Sequence, residues 1–273
     1  MRSIAKLMKD WQFTGPNGVT TAVELPHTWN ARDGQDGGND YWRGCCTYCT
    51  CFAAPVYDPA QQQVWLQFEG LNASAAVLLN GQQLCTHDGG YSTFRAEVTE
   101  LLQAENQLTV RVDNSVNDRV YPQKADFTFY GGIYRDVSLL VVNKNHIALG
   151  HFGDTGVKIT PALQENSADI RVETLVEGSG TVTVELLDAE GRTVAKGEGE
   201  NASLHLDAPH LWNGVKDPYL YTCVVRLLQD GQPVDEVTTR VGLRSFSVDA
   251  MCAACPSSCS PSAPVRRKAR RPA

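Results

Sequence analysis

Long apolar runs are absent from these 273 residues. The two most apolar stretches, 73–79 and 137–142, fall far short of the ~20 residues that a bilayer-spanning helix requires, which excludes a helical membrane protein. No segment repeats at a period of about 20–50 residues, and none carries a sustained helical period. The phosphate loop GxxxxGK[ST] and the patterns HExxH, GxSxG and GxGxxG are missing, which removes the common phosphate cradles, zinc-peptidase helices and nucleophile elbows. The first ten residues scatter Arg2, Lys6 and Lys9 among apolar side chains, with no continuous apolar core and no small-residue cleavage site. A cytoplasmic location is therefore expected. Charged residues are only 20% of the chain against 42% hydrophobic, with a mean hydropathy of -0.27, a balance that supplies cores and rules out wholesale disorder.

Charge is unevenly spread. The net charge is -7, yet residues 251–273 hold five of the 24 basic residues (Arg266, Arg267, Lys268, Arg270, Arg271) and none of the 31 acidic ones. The first 250 residues thus carry 19 basic against 31 acidic groups, a net of -12, and such a body repels nucleic acid. The tail itself is Cys, Ala, Pro, Ser and Arg without periodicity. Two readings stay open for it, a disordered basic tail over 250–273 or a stretch outside the ancestral reading frame.

Nine cysteines suggest zinc or disulfides until their phase is read. The pairs Cys46/Cys49 and Cys252/Cys255 are CxxC spacings, but residues 45–51 alternate like a strand. That phase points Cys45, Thr47, Cys49 and Cys51 to one face and Cys46, Tyr48 and Thr50 to the other, so a CxxC pair on it diverges. Thiols buried as small hydrophobes are the expectation, with no metal and no cofactor.

What is present is period two, in short runs punctuated by Gly, Asn, Asp and Pro. Val64, Leu66 and Phe68 alternate with polar neighbours, as do Leu108, Val110 and Val112. Residues 75–79 reach Asn80-Gly81, a pair suited to a type I′ turn, and 82–86 return. Residues 137–142 are apolar throughout and predict a strand buried on both faces. Beyond 145 a second series of strands runs to about 241. The fold class expected is all-β: a jelly-roll sandwich over 1–145, an immunoglobulin-like sandwich over 146–249, and the tail.

Chemistry-bearing candidates are few. The six histidines are scattered, and His27 is expected to be a loop residue held by backbone hydrogen bonds. Asp36/Asp40 and Glu97/Glu100 are nearby acids, but proximity along a loop or strand does not create the facing carboxylates, ~5–9.5 Å apart, that glycoside cleavage uses.

Five segments in order resemble one family. They are Leu25-Pro26-His27-Thr28-Trp29-Asn30, Asp40-Tyr41-Trp42-Arg43-Gly44, Phe68-Glu69-Gly70-Leu71-Asn72 with Asn80-Gly81, Gly89-Gly90-Tyr91-Ser92-Thr93-Phe94, and Gly131-Gly132-Ile133-Tyr134-Arg135-Asp136-Val137. The chain is similar in these to glycoside hydrolase family 2, of β-galactosidases, β-glucuronidases and β-mannosidases. Leu211-Trp212-Asn213-Gly214, Asp217-Pro218-Tyr219-Leu220-Tyr221 and Val241-Gly242-Leu243-Arg244-Ser245-Phe246 extend the resemblance over roughly 5–249. It implies a galactose-binding-like and an immunoglobulin-like domain. It also implies a following (β/α)₈ barrel with the acid/base and nucleophile glutamates, for which the last 23 residues are too short. No catalytic residue is therefore assigned.

The resemblance carries two substrate-binding positions over to this chain. Asp126, six residues before Gly132, matches an acid that reaches the sugar in some β-galactosidases, and Asn39 lies in a loop that supplies a second polar contact. A carboxylate and an amide together offer the acceptors and donors that adjacent sugar hydroxyls need. Trp29, Trp42, Tyr91 and Phe129 offer stacking surfaces but are expected in the core, and Arg43 and Arg135 are expected to pair with acids at the domain seam. The implied partners are a β-galactoside or related glycoside, bound weakly, and a barrel-bearing fragment or a second copy of the chain. Nucleic acid and membrane are not expected partners.

Overall fold

The computed structural model describes residues 1–33, 41–121 and 128–246. In chain order the strands are β1 (Ser3–Lys6), β2 (Trp11–Thr14), β3 (Thr20–Val23), β4 (Cys45–Ala53), β5 (Gln62–Phe68), β6 (Ser74–Leu79), β7 (Gln82–Asp88), β8 (Phe94–Glu97), β9 (Glu105–Asp113) and β10 (Val137–Asn143). A second set follows: β11 (His146–Ile147), β12 (Val157–Leu163), β13 (Ser167–Thr174), β14 (Val176–Glu177), β15 (Thr181–Leu187), β16 (Thr193–Glu198), β17 (Asn201–Asp207), β18 (Tyr221–Gln229) and β19 (Gln232–Val241). Among the described residues the only helical element is the 3₁₀ turn Thr99–Leu101, and no helix is long and apolar enough to cross a membrane.

The first set forms a jelly-roll sandwich. A six-stranded sheet in the order β3-β2-β4-β9-β6-β7 faces a four-stranded sheet in the order β1-β10-β5-β8, every pairing antiparallel. The period-two residues named above fill the space between them: Val64, Leu66, Phe68, Leu108, Val110 and Val112 are all buried, together with Trp11 and Tyr48. Six residues of β10, 137–142, are buried, because its outer face is covered too, with Leu140, Val142, Leu149 and Trp65 packing together there. The β6–β7 hairpin turns on Asn80 and Gly81 at φ 51° and 82°, the pair of positive φ values that a type I′ turn demands.

The second set forms an immunoglobulin-like sandwich, β12-β13-β17 against β16-β15-β18-β19, around a core that includes Ile170, Val172, Val184, Leu204, Val225 and Leu243. The strands β12 and β16 are additions to the sequence reading. β12 alternates weakly and contains Pro161, which an edge strand tolerates, and β16 is largely exposed on its own edge.

The seam between the sandwiches is held by two arginines that the sequence did not single out. Arg2 donates to both oxygens of the fully buried Asp235 at 2.9 and 2.7 Å, and Asp235 also accepts the Ile147 N–H at 2.8 Å. Arg95 donates to Gln67 and to the carbonyls of Leu149 and Asp154. Arg135, expected in such a role, is instead exposed with its guanidinium 5.8 Å from the Tyr134 ring, and no ion pair of it occurs among the described residues. Among the described residues Arg43 likewise meets aromatic rings rather than an acid.

In β4 the alternation holds: Cys46, Tyr48, Thr50 and Phe52 point inward. Burial of the thiols as a group does not. Cys46 and Cys223 are buried, but Cys45 and Cys51 are exposed because the opposite face of β4 has no layer over it. Cys46 and Cys49 diverge, and among the described residues no group of His, Cys, Asp or Glu is placed to hold a metal ion. The tail pair Cys252/Cys255 lies outside the described residues.

Candidate functional site

At one end of the first sandwich, four loops converge on two buried amides. Asn114 follows β9 in the inward phase of Leu108, Val110 and Val112. Its side-chain oxygen accepts the Gly44 N–H at 2.9 Å, while its amide donates to the Phe129 carbonyl at 3.2 Å and to the Asn30 side-chain oxygen at 3.1 Å. The Asn30 oxygen also accepts the Gly131 N–H at 2.7 Å, and the Asn30 amide donates to Asp33 Oδ2 at 2.7 Å and to the Trp42 carbonyl at 2.8 Å. Asp33 in turn accepts the Trp42 N–H at 3.1 Å. Residues 28–33, 41–44, 113–115 and 129–131 are thereby fixed to one another. Neither asparagine was a candidate from sequence. Asn114 was visible in principle, as an amide standing where strand phase calls for an apolar residue; Asn30 sits in a loop without period.

The loop 129–132 can approach this closely only because Gly131 and Gly132 lack side chains. A Cβ on Gly132 would sit 2.5 Å from the His27 carbonyl oxygen and 2.8 Å from the Tyr48 hydroxyl, at a φ of 129°. His27 is satisfied differently from expectation: its Nδ1 lies 2.7 Å from the Tyr48 hydroxyl, and its ring packs 4.8 Å from Phe13. Burial holds its pKa below the ordinary value and pushes the Tyr48 hydroxyl up.

On this platform Arg43 packs against two rings, 4.7 Å from the centroid of Tyr41 and 5.1 Å from that of Phe129, and donates to the Tyr41 hydroxyl. Such stacking supplements the packing of each ring by about 0.5–1 kcal/mol or more where water is excluded. Arg43, Asn72, Tyr91, Asn114, Tyr121 and Phe129 line a cleft that opens about 20 Å³ to water, room for a single water molecule. Tyr91 and Tyr121 present exposed rings along it, 48% and 76% accessible. Among the described residues no carboxylate lines this cleft, and those that do form a polar and aromatic rim.

Asn39 and Asp126 lie outside the described residues, as do Asp36 and Asp40. Two nearby residues in sequence are described: Tyr41, two after Asn39, and Phe129, three after Asp126, both pack on Arg43. Of the aromatic candidates, Tyr91 and Phe129 line this cleft, while Trp29 and Trp42 line another beside it. Glu97 accepts the Thr99 hydroxyl at 2.9 Å and so has a local partner away from the cleft.

With that geometry established, comparison with known proteins adds the following. The description "Glycosyl hydrolase 2 galactose-binding domain-like" matches residues 38–163, and "Glycosyl hydrolases family 2" matches residues 151–244. A β-glucuronidase of Bacteroides fragilis is 33% identical over 265 residues, covering 89% of this chain and 38% of its own length. The β-galactosidase BoGH2A of Bacteroides ovatus is 31% identical over 282 residues, covering 88% of this chain and 31% of its own. The crystal structure of an FMN-binding β-glucuronidase from Faecalibacterium prausnitzii L2-6 superposes with a TM-score of 0.85 at 36% identity, over 91% of this chain and 40% of that one. The chain therefore spans about two fifths or less of the length of these three relatives.

Proposed function

The chain belongs to glycosyl hydrolase family 2, and from that premise we propose that these 273 residues form the scaffold and substrate rim of a β-glucuronidase- or β-galactosidase-like glycosidase and do not cleave glycosides unaided. The single observation that carries the reading is the amide-braced rim around Arg43, which presents rings and polar groups outward but encloses almost no volume. Cleavage of an O-glycosyl bond needs two facing carboxylates. The one carboxylate among the described residues lining either cleft is Asp33, whose Oδ2 already accepts two hydrogen bonds.

Asp126 and Asn39 are the positions we assign to sugar hydroxyls. What supports the assignment is sequence proximity: Asn39 comes two residues before Tyr41 and Asp126 three before Phe129, and those two rings both pack on Arg43. Two contacts from one side bind a sugar weakly, since enclosure supplies most of a ligand's contact. Affinity and turnover then require a barrel-bearing chain or segment packed against the rim. The proposed division of labour gives 1–145 the rim and 146–249 the role of spacer, supported by two cores with no residue in common. A cytoplasmic setting belongs to the same proposal, in keeping with six free thiols among the described residues.

The test is complementation. The homogeneous chain is mixed with a separately expressed family 2 barrel fragment, and release of a chromophore from β-glucuronides and β-galactosides is followed. Activity that depends on both chains and falls at least tenfold with Asp126→Ala supports the reading. Complementation indifferent to both Asp126→Ala and Asn39→Ala refutes the site assignment.

A further inference from the structure

We infer that the first sandwich carries a second carbohydrate site, independent of the rim, in the aromatic cleft between the β2–β3 hairpin and the 27–33 loop, and that its ligand is a sugar bearing a carboxylate. This cleft opens about 500 Å³, within the range of roughly 300–1,000 Å³ that small ligands occupy. Its wall is an aromatic run. The Phe13 and Trp29 rings lie nearly parallel, 16° apart with centroids at 6.0 Å, and Trp42 meets Trp29 edge-on at 6.0 Å. Phe13 and Trp29 are fixed by the core and by the Asn30 node, so the wall is preorganised. Trp42 is held at its backbone by Asn30 and Asp33 while 37% of it remains accessible. Aromatic side chains of this kind present a rigid apolar body to a ligand at low cost in conformational entropy.

The rim of the cleft supplies the chemistry that selects the ligand. Arg32 is exposed at its edge and makes no hydrogen bond or ion pair among the described residues, in contrast to the salt-bridged Arg2, Arg119, Arg171, Arg192 and Arg226. An unspent guanidinium beside an aromatic wall takes a carboxylate in bidentate fashion, while the wall takes the apolar face of a pyranose. Asn17, whose side-chain oxygen is used by the Val19 N–H, keeps its amide for a hydroxyl, and Asp33 Oδ1 remains as an acceptor. Carboxylate, apolar face and flanking hydroxyls together describe a hexuronate unit.

The experiment is a two-dimensional NMR titration of the ¹⁵N-labelled 273-residue chain with methyl β-D-glucuronide and, separately, methyl β-D-glucoside. Saturable shifts of the Trp29 and Trp42 indole resonances are expected, with the glucuronide binding at least tenfold more tightly. Trp42→Ala should abolish binding while the Trp11 indole resonance, buried in the core, stays in place as the marker of an intact fold. Arg32→Gln, a surface change, should remove the preference for the glucuronide, and Asp126→Ala should leave the titration unchanged. Absence of indole shifts, shifts confined to residues around Arg43, or equal affinity for the two sugars would each overturn the inference. Failure of the Asp126 complementation above would leave it standing, because the two readouts share no residue.

Discussion

The side-chain amide of Asn114 donates to the side-chain oxygen of Asn30 at 3.1 Å, 84 residues away in sequence, with both residues essentially buried. Between them the two amides satisfy backbone groups of Gly44, Trp42, Phe129 and Gly131. Removing either strands buried partners, each at about 1–3 kcal/mol. Asn114→Ala and Asn30→Ala should therefore each destabilise the chain by ~2–4 kcal/mol in urea unfolding. The double variant should cost less than the sum, because the shared bond is lost only once.

Acid should weaken the fold before any carboxylate titrates. Burial holds the pKa of His27 and of His87 below the ordinary 6.5. The unfolded chain therefore takes up protons first as pH falls, and stability declines from about pH 6.5 downward. His205 has the opposite sign: Asp169 and then Asp207 raise its pKa, so its contribution is complete below 6.5 and is lost as pH rises through the raised value. It is exposed and correspondingly screened. Urea midpoints from about pH 8 to about pH 5 should fall in the wild type, and the slope should flatten in His27→Gln/His87→Gln.

Thiol reactivity reports the phase of β4. Cys46 is pushed up to about 12 and Cys223 to about 11 by burial, whereas Cys51 stands exposed on the outer face of the strand. Native alkylation at about pH 8, read by peptide mass mapping, should label Cys51 within minutes and leave Cys46 and Cys223 unlabelled until denaturant is added. Rapid native labelling of Cys46 would mean that the strand phase is wrong.

A buried histidine at the seam is a place to gain stability. His146 is fully buried, with neither ring nitrogen hydrogen-bonded among the described residues; the Glu177 carboxylate stands 3.4 Å from Nε2. The ring packs edge-on to Trp65. His146→Phe keeps the ring contact and removes two unsatisfied polar atoms, so it should be neutral or stabilising by about 1–2 kcal/mol in thermal unfolding at neutral pH.

Much of this fold was legible because a half-buried strand writes its burial into alternate residues. Val64–Leu66–Phe68, Leu108–Val110–Val112 and the Asn80-Gly81 turn needed no tertiary information. The edge strands β12 and β16 were not, since an edge buries too little to impose the pattern. At the cleft, Tyr91 and Phe129 line the surface although the sequence pattern placed both rings in the core, because alternation along strands says nothing of which way a loop ring turns. The partners of Arg43 and Arg135 were not readable, because an ion pair and a cation–ring contact demand the same residue and differ only in what tertiary packing delivers. Asn30 illustrates the remaining blind spot: a loop amide is polar by habit, and only the fold shows it to be buried.

The central proposal is that this chain presents a sugar rim and does not cleave glycosides unaided. It is tested most directly by incubating the homogeneous 273-residue protein with chromogenic β-glucuronide and β-galactoside and following chromophore release against a buffer blank. Release indistinguishable from the blank is the expected result. Turnover that co-purifies with the chain through successive orthogonal columns would contradict it.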